Sequence, residues 1–216
     1  LSDAGRVANY LVERDIRWRD RGRLGRPLTT ITDPIEGASF RYSENGERLA
    51  YFRVEGEKVR SLWVIDTNST APNGVPVAAG QLGGYAFSPD GTRIAVTRHR
   101  DGGQGTVIFV DAVRGEIEGN GGPGRCDAAS WYPDEPLLIV QAYDDETEED
   151  QLWSLSTYSP YERTRLTKLD NGAQREAAVS RSGEWLTTVS ETERGPAIVF
   201  LPWAPADLIE QTRDAS

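Results

Sequence analysis

Tyr85–Val96 reads YAFSPDGTRIAV, two short runs rich in aromatic and β-branched residues joined through Ser88-Pro89-Asp90-Gly91. Pro89 presets φ for the first corner of a turn, Asp90 bonds its own backbone, and Gly91 tolerates positive φ, so the segment closes a hairpin with little strain. The arrangement returns three times, as FRYSENGERLAY over Phe40–Tyr51, ASWYPDEPLLIV over Ala129–Val140 and AAVSRSGEWLTT over Ala177–Thr188. The matching turn residues Gly46, Gly91, Glu135 and Gly183 stand 45, 44 and 48 positions apart. In the third copy Glu135-Pro136 replaces the glycine and in the fourth Arg181-Ser182 replaces Pro-Asp, which predicts altered or longer turns there.

Some fifteen residues after each turn comes an apolar run: LWVID from Leu62, VIFVD from Val107, LWSLS from Leu152 and AIVFLP from Ala197. These runs are too short for helices and read as strands. A looser polar stretch follows, ending in another β-like piece such as Val75–Ala78 or Arg163–Thr167, so each repeat holds about four strands. A unit of roughly 45 residues and four strands matches a β-propeller blade, whose burial on both faces removes the alternation from runs such as VIFVD. The expected fold class is all-β: a propeller of four-stranded antiparallel blades, about four of them visible, with motifs near residues 38–66, 83–111, 127–156 and 175–202.

The SPDG turn followed by TRIAVT, then VIFVD and Gly115-Glu116, resembles the TolB-like propeller repeat, shared with the propeller domains of prolyl oligopeptidase and dipeptidyl peptidase enzymes. The resemblance covers about residues 27–204 and is strongest in the second copy. It implies a non-enzymatic domain that binds a protein or other ligand through its loops, commonly outside the cytoplasm, in the periplasm or after secretion. It leaves open an accessory propeller gating a serine peptidase, and an extracytoplasmic sensor domain of a membrane-anchored signalling protein.

Residues 1–26 stand apart from the propeller at 27–216. Val7, Tyr10, Leu11 and Trp18 fall at near-helical spacing and arginines crowd Arg14–Arg26, so a short N-terminal helix is expected, either plugging the ring or linking to an upstream domain or anchor. Five outer strands are countable, Leu28–Ile31, Val75–Ala78, Glu116–Glu118, Thr164–Thr167 and Leu208–Gln211, which around four cores leaves a spare edge for self-association.

With 24 Lys plus Arg against 34 Asp plus Glu, the net charge of −10 opposes a phosphate backbone, and nucleic acid is not an expected partner. No apolar run approaches the roughly 18 residues that span a bilayer, so direct membrane insertion is not expected. Met is absent throughout, which reads as a mature or excised piece. The single cysteine, Cys126, has no internal disulfide partner and reads as a small buried thiol.

The chain has one histidine, His99, and no GxSxG elbow, so no catalytic set is assigned. One His and one Cys 27 positions apart make no zinc site, and the run Asp144–Asp150 lacks the spacing that wraps a calcium ion. No metal or cofactor is expected. Asp144–Asp150 reads as a hairpin tip. The glycine-rich stretches 80–84 and 118–125 read as linkers between blades, and Trp63, Trp131, Trp153 and Trp185 as packing between them. The positions where the repeats disagree are the binding candidates: Arg98, His99, Arg100 and Asp101 in one loop, Asp144, Asp145, Glu148 and Asp150 in another, and Trp203 beyond the last repeat.

Overall fold

The computed structural model describes residues 6–12, 15–20, 23–30, 40–55, 59–69, 74–99, 105–133, 136–167, 174–192 and 194–202; residues 6–30, 125–129, 174–176 and 192 are described as backbone alone. Every regular element among them is a strand, and every pairing is antiparallel. The first repeat forms the sheet β4 (Arg41–Tyr42), β5 (Arg48–Val54), β6 (Arg60–Asp66) and β7 (Val75–Gly80). The second forms β8 (Leu82–Phe87), β9 (Arg93–Arg98), β10 (Thr106–Asp111) and β11 (Ile117–Pro123), and the third β12 (Arg125–Trp131), β13 (Leu137–Asp144), β14 (Glu149–Ser156) and β15 (Arg163–Arg165). The fourth contributes β16 (Gln174–Val179), β17 (Trp185–Thr192) and β18 (Gly195–Pro202). Within each sheet the strands pair in chain order, the up-and-down meander of a propeller blade.

The turn before the second strand of each repeat is closed the same way. Ser88 N–H donates to Arg93 O at 2.9 Å, Gly91 N–H to Ser88 O at 2.8 Å, and the Ser88 hydroxyl accepts from Arg93 N–H at 3.0 Å, with Gly91 at φ 70°. Ser43 and Arg48 repeat this around Gly46, and Ser180 and Trp185 around Gly183. The fourth turn is therefore not altered, contrary to the expectation from its Arg181-Ser182. The Ser182 hydroxyl stands where the Asp90 carboxylate does, 3.2 Å from Ser180 Oγ. The third turn keeps the five-residue closure, Tyr132 N–H to Leu137 O at 2.9 Å.

Successive sheets pack face to face. Ala50, Phe52, Leu62 and Val64 of the first meet Tyr85, Ile94 and Val96 of the second, and Ala95 and Phe109 of the second meet Leu138, Val140 and Leu155 of the third. Ile139 and Leu152 of the third then meet Ala177 and Leu186 of the fourth. Most of these side chains are wholly buried, the valines, leucines, isoleucines and phenylalanines among them each stabilising by roughly 1.5–3 kcal/mol. Trp131 and Trp153 pack in the second of these layers as expected, whereas Trp185 is 47% exposed on the outer face of the fourth sheet.

The N-terminal segment departs from the sequence reading. In place of a helix it forms the sheet β1 (Arg6–Val12), β2 (Asp15–Asp20) and β3 (Arg23–Thr30). The helical spacing of Val7, Tyr10 and Leu11 is not sustained, and from Asp15 to Arg19 charged and apolar residue types alternate singly, which is the period of a strand. The segment beginning at Leu28 is thus not a spare outer strand of the first repeat, because β3 pairs with β2 through Ile16↔Thr29. Leu208–Gln211 lies outside the described residues.

The glycine-rich stretches carry the chain from one sheet to the next, as expected, but most of their residues lie within the flanking strands. Gly83 and Gly84 lie in β8, and Gly119, Gly121 and Gly122 in β11. A Cβ on Gly119 would fall 1.7 Å from Tyr161 Oη and one on Gly121 2.7 Å from Leu155 Cδ2, so neighbouring side chains occupy the space a larger residue would need.

Candidate functional site

The four turns converge. At their common end lies a cavity of about 420 Å³, and its walls are drawn from equivalent positions of all four repeats. Tyr42, Phe87, Trp131 and Val179 occupy the position two residues after the start of the quoted motif, and Glu44, Pro89, Pro133 and Arg181 the position two residues further on. The first strand of each repeat brings its apolar side chain to this point, and the turn then carries the next group to the rim. A second cavity of about 210 Å³ shares Ser88, Pro89, Trp131 and Pro133 with the first and runs outward between the second and third sheets to Arg93 and Tyr158.

Cross-sheet hydrogen bonds hold these walls. Trp131 Nε1–H donates to Ala86 O at 3.1 Å, Val179 N–H to Ser130 Oγ at 3.0 Å, and Tyr132 Oη–H to Gly183 O at 3.1 Å. The turn serines are fully engaged: Ser43 Oγ–H donates to Asn45 Oδ1 at 2.7 Å and Ser88 Oγ–H to Asp90 Oδ1 at 2.6 Å, while both accept backbone N–H groups. Burial opposes the charge on Asp90, but the hydrogen bonds from Ser88 and Thr92, with Arg93 nearby, outweigh it and hold the carboxyl below its ordinary value. Burial pushes the Tyr85 hydroxyl far up, and it donates to Ala50 O at 2.8 Å.

The charged groups at the rim are held more loosely. Arg181 is almost wholly exposed, with Nε 4.0 Å from Glu44 Oε1, and the Arg41 guanidinium lies 5.8 Å from the centre of the Tyr85 ring. Aromatic faces, two prolines and charges of both signs can stack on and ion-pair with an extended polar chain.

The residues singled out in the sequence stand elsewhere. Arg98 ends β9 and His99 follows it, and the six residues of that strand carry the chain roughly 20 Å from the Ser88–Gly91 turn. Arg98 Nε is buried without a hydrogen-bond partner among the described residues, and His99 rests against Gly83, its N–H donating to Gln81 O at 2.7 Å. Asp144, Asp145, Glu148 and Asp150 belong to the β13–β14 hairpin, at the corresponding end of the next sheet, as the sequence placed them. Asp144 is buried and bonded to Arg165, which also meets Glu146 at 2.8 Å, and these hydrogen bonds raise the Arg165 guanidinium above its ordinary value. Asp150 accepts from Gln141 Nε2 at 2.7 Å, and Asp145 and Glu148 are exposed. Arg100, Asp101 and Trp203 lie outside the described residues. Among the described residues no three His, Cys, Asp or Glu side chains come together as a metal-holding group, and no helix is long and apolar enough to cross a membrane.

Solved structures share this architecture. TolB from Acinetobacter baumannii superposes with a TM-score of 0.63 at 18% identity, over 92% of this chain and 50% of that one. The fold is a TolB-like β-propeller. The structure described as putative TolB from Agrobacterium tumefaciens gives 0.62 at 18% identity, over 82% of this propeller and 61% of that chain. An oligogalacturonate lyase in complex with manganese gives 0.66 at 13% identity, over 90% and 55%. The propeller thus spans 50 to 61% of the length of these proteins, and at such identities the likeness concerns the fold alone. No family model and no curated protein matches the sequence.

The sequence reading missed the cavity. Its signal was present in the aligned repeats, where Glu44, Pro89, Pro133 and Arg181 share one column yet differ wholly in charge and shape, beside turn positions that hardly change.

Proposed function

We propose that this propeller is a non-enzymatic binding domain, working outside the cytoplasm, that seats an extended segment of a protein partner in the cavity where the four turns converge. The observation that carries this reading is the composition of that cavity. Its walls offer aromatic rings, prolines and rim charges of both signs, while its serine hydroxyls are held by turn closure at Ser88 and Ser180 and by the cross-sheet bond from Val179 N–H at Ser130, and the chain's one histidine stands just beyond the far end of β9. Such a lining recognises without supplying a nucleophile beside a base. The overall charge of −10 favours a protein over a nucleic acid partner, and the extracytoplasmic setting rests on the resemblance of the repeat to TolB-like proteins.

The test is peptide selection. Random peptides displayed on phage are selected against the immobilised chain, and the strongest binder is titrated by fluorescence anisotropy. Arg181→Glu and Arg41→Glu, both at exposed rim positions, are expected to weaken binding about tenfold, the scale of one lost ion pair at a desolvated contact. Asp145→Lys and Glu148→Lys at the other end leave it unchanged. The reverse pattern would move the site to the loops at Arg98–Asp101 and Asp144–Asp150.

A further inference from the structure

The second cavity differs in kind from the first. Six of the residues along its roughly 210 Å³ are rings, Pro89, Trp131, Tyr132, Pro133, Pro136 and Tyr158. Pro89, Trp131 and Pro133 also wall the first cavity, so one apolar strip leads from the first into the second. The polar side chains of the second cavity are turned to protein partners. Ser88 Oγ–H donates to Asp90 Oδ1 at 2.6 Å, Asp90 Oδ2 accepts from the Thr92 hydroxyl at 2.8 Å, and Thr157 Oγ1–H donates to Pro136 O at 2.9 Å. Arg93 donates to Thr157 O at 2.7 Å and to Glu118. Tyr158 is the exception. It is 59% exposed, its hydroxyl makes no hydrogen bond among the described residues, and the Arg93 guanidinium 4.6 Å from its ring centre holds the ring beside the cavity.

We propose that this second cavity seats a proline of the partner's extended segment, a proposal that rests on the reading of the first cavity as that segment's seat. Three features select the residue. Any other residue brings a backbone N–H, which between rings and polar groups that already hold partners loses its water without gaining an acceptor, whereas proline has no N–H to lose. Proline keeps its carbonyl as an acceptor, and the Tyr158 hydroxyl is the donor that has no partner among the described residues. Proline-containing chains are extended before they bind, because the ring fixes φ, so they lose little freedom on seating and lay their rings against aromatic faces. The contact involves no charge, so the −10 of the chain does not oppose it.

The probes are the phage-selected peptides and, for each, the same peptide with its proline replaced by alanine, titrated by fluorescence anisotropy against the whole chain. The selected peptides are expected to share a proline at one position, and its replacement to weaken binding about fivefold. That preference persists in Arg181→Glu, which alters the first cavity, and falls below about twofold in Tyr158→Ala. Tyr158→Phe keeps the ring against Arg93 and removes the hydroxyl alone, so it guards against a loss of fold, and it weakens the proline peptide about threefold. Peptides without a shared proline, or a preference unchanged in Tyr158→Ala, overturn the proposal and leave the first cavity as a peptide seat. A library that yields no binder at all overturns that reading and this one together.

Discussion

At Gly91 the backbone sits at φ 70° and a Cβ would lie 2.8 Å from Ser43 Cβ in the preceding sheet; at Gly195 φ is 106° and a Cβ would meet nothing within 4 Å. Alanine at either position carries a backbone penalty of order 1–2 kcal/mol. Gly91→Ala must also push Ser43 aside, so urea unfolding is expected to show it about 1–3 kcal/mol less stable than Gly195→Ala. Asp90, beside it, sets an acid dependence. Its carboxyl titrates lower in the folded chain than in the unfolded one, so its stabilisation is complete above the ordinary carboxylate value near 4 and disappears as pH falls through the lowered folded value. The stability advantage of the wild type over Asp90→Asn is therefore expected to be equal at pH 7 and pH 5 and to vanish in stronger acid, read from urea midpoints across that range. Pro89, Asp90 and Gly91 were legible as a turn because each acts through its own backbone. The engagement of Gly91 with Ser43 was not, since the two are 48 residues apart in sequence.

Between elements, Arg93 joins two sheets. Its Nη2–H donates to Thr157 O at 2.7 Å, Nε–H bonds Glu118 Oε2 at 2.5 Å, and the guanidinium lies 4.6 Å from the Tyr158 ring centre and 5.1 Å from that of Phe109. Two directed bonds and two ring contacts need a planar fork, so Arg93→Lys is expected to recover little of the roughly 1.5–3 kcal/mol lost in Arg93→Ala, as measured by thermal unfolding. The strands themselves could be read from the repeats because VIFVD and its counterparts are buried on both faces. Residues 6–30 could not be, because the positions of Val7, Tyr10 and Leu11 suit a helix when taken alone and only pairing of β2 on both sides decides for a sheet.

Over the whole molecule, protection should follow the number of covered faces. The second strands β9 and β13 lie in sheets covered on both faces, while β17 and β18 lie in one covered on one. Amide exchange followed by mass spectrometry is expected to be slowest for Ile94–Thr97 and Leu138–Val140, and faster by at least tenfold for Val199–Leu201. At this scale the repeat gave away the fold but not the site: each sheet is written in one stretch of about 45 residues, whereas the cavity takes a residue or two from every stretch and exists only once the turns converge. The same division of labour bears on how such a chain grows. At two of the three junctions the turn glycine is a plug, Gly91 seated against Ser43 with its carbonyl accepting from Arg48, and Gly183 seated against Tyr132 with its carbonyl accepting from that hydroxyl. An in-frame duplication of a unit that carries such a glycine would therefore bring its own plug, and would lengthen the row of packed sheets in a single genetic step.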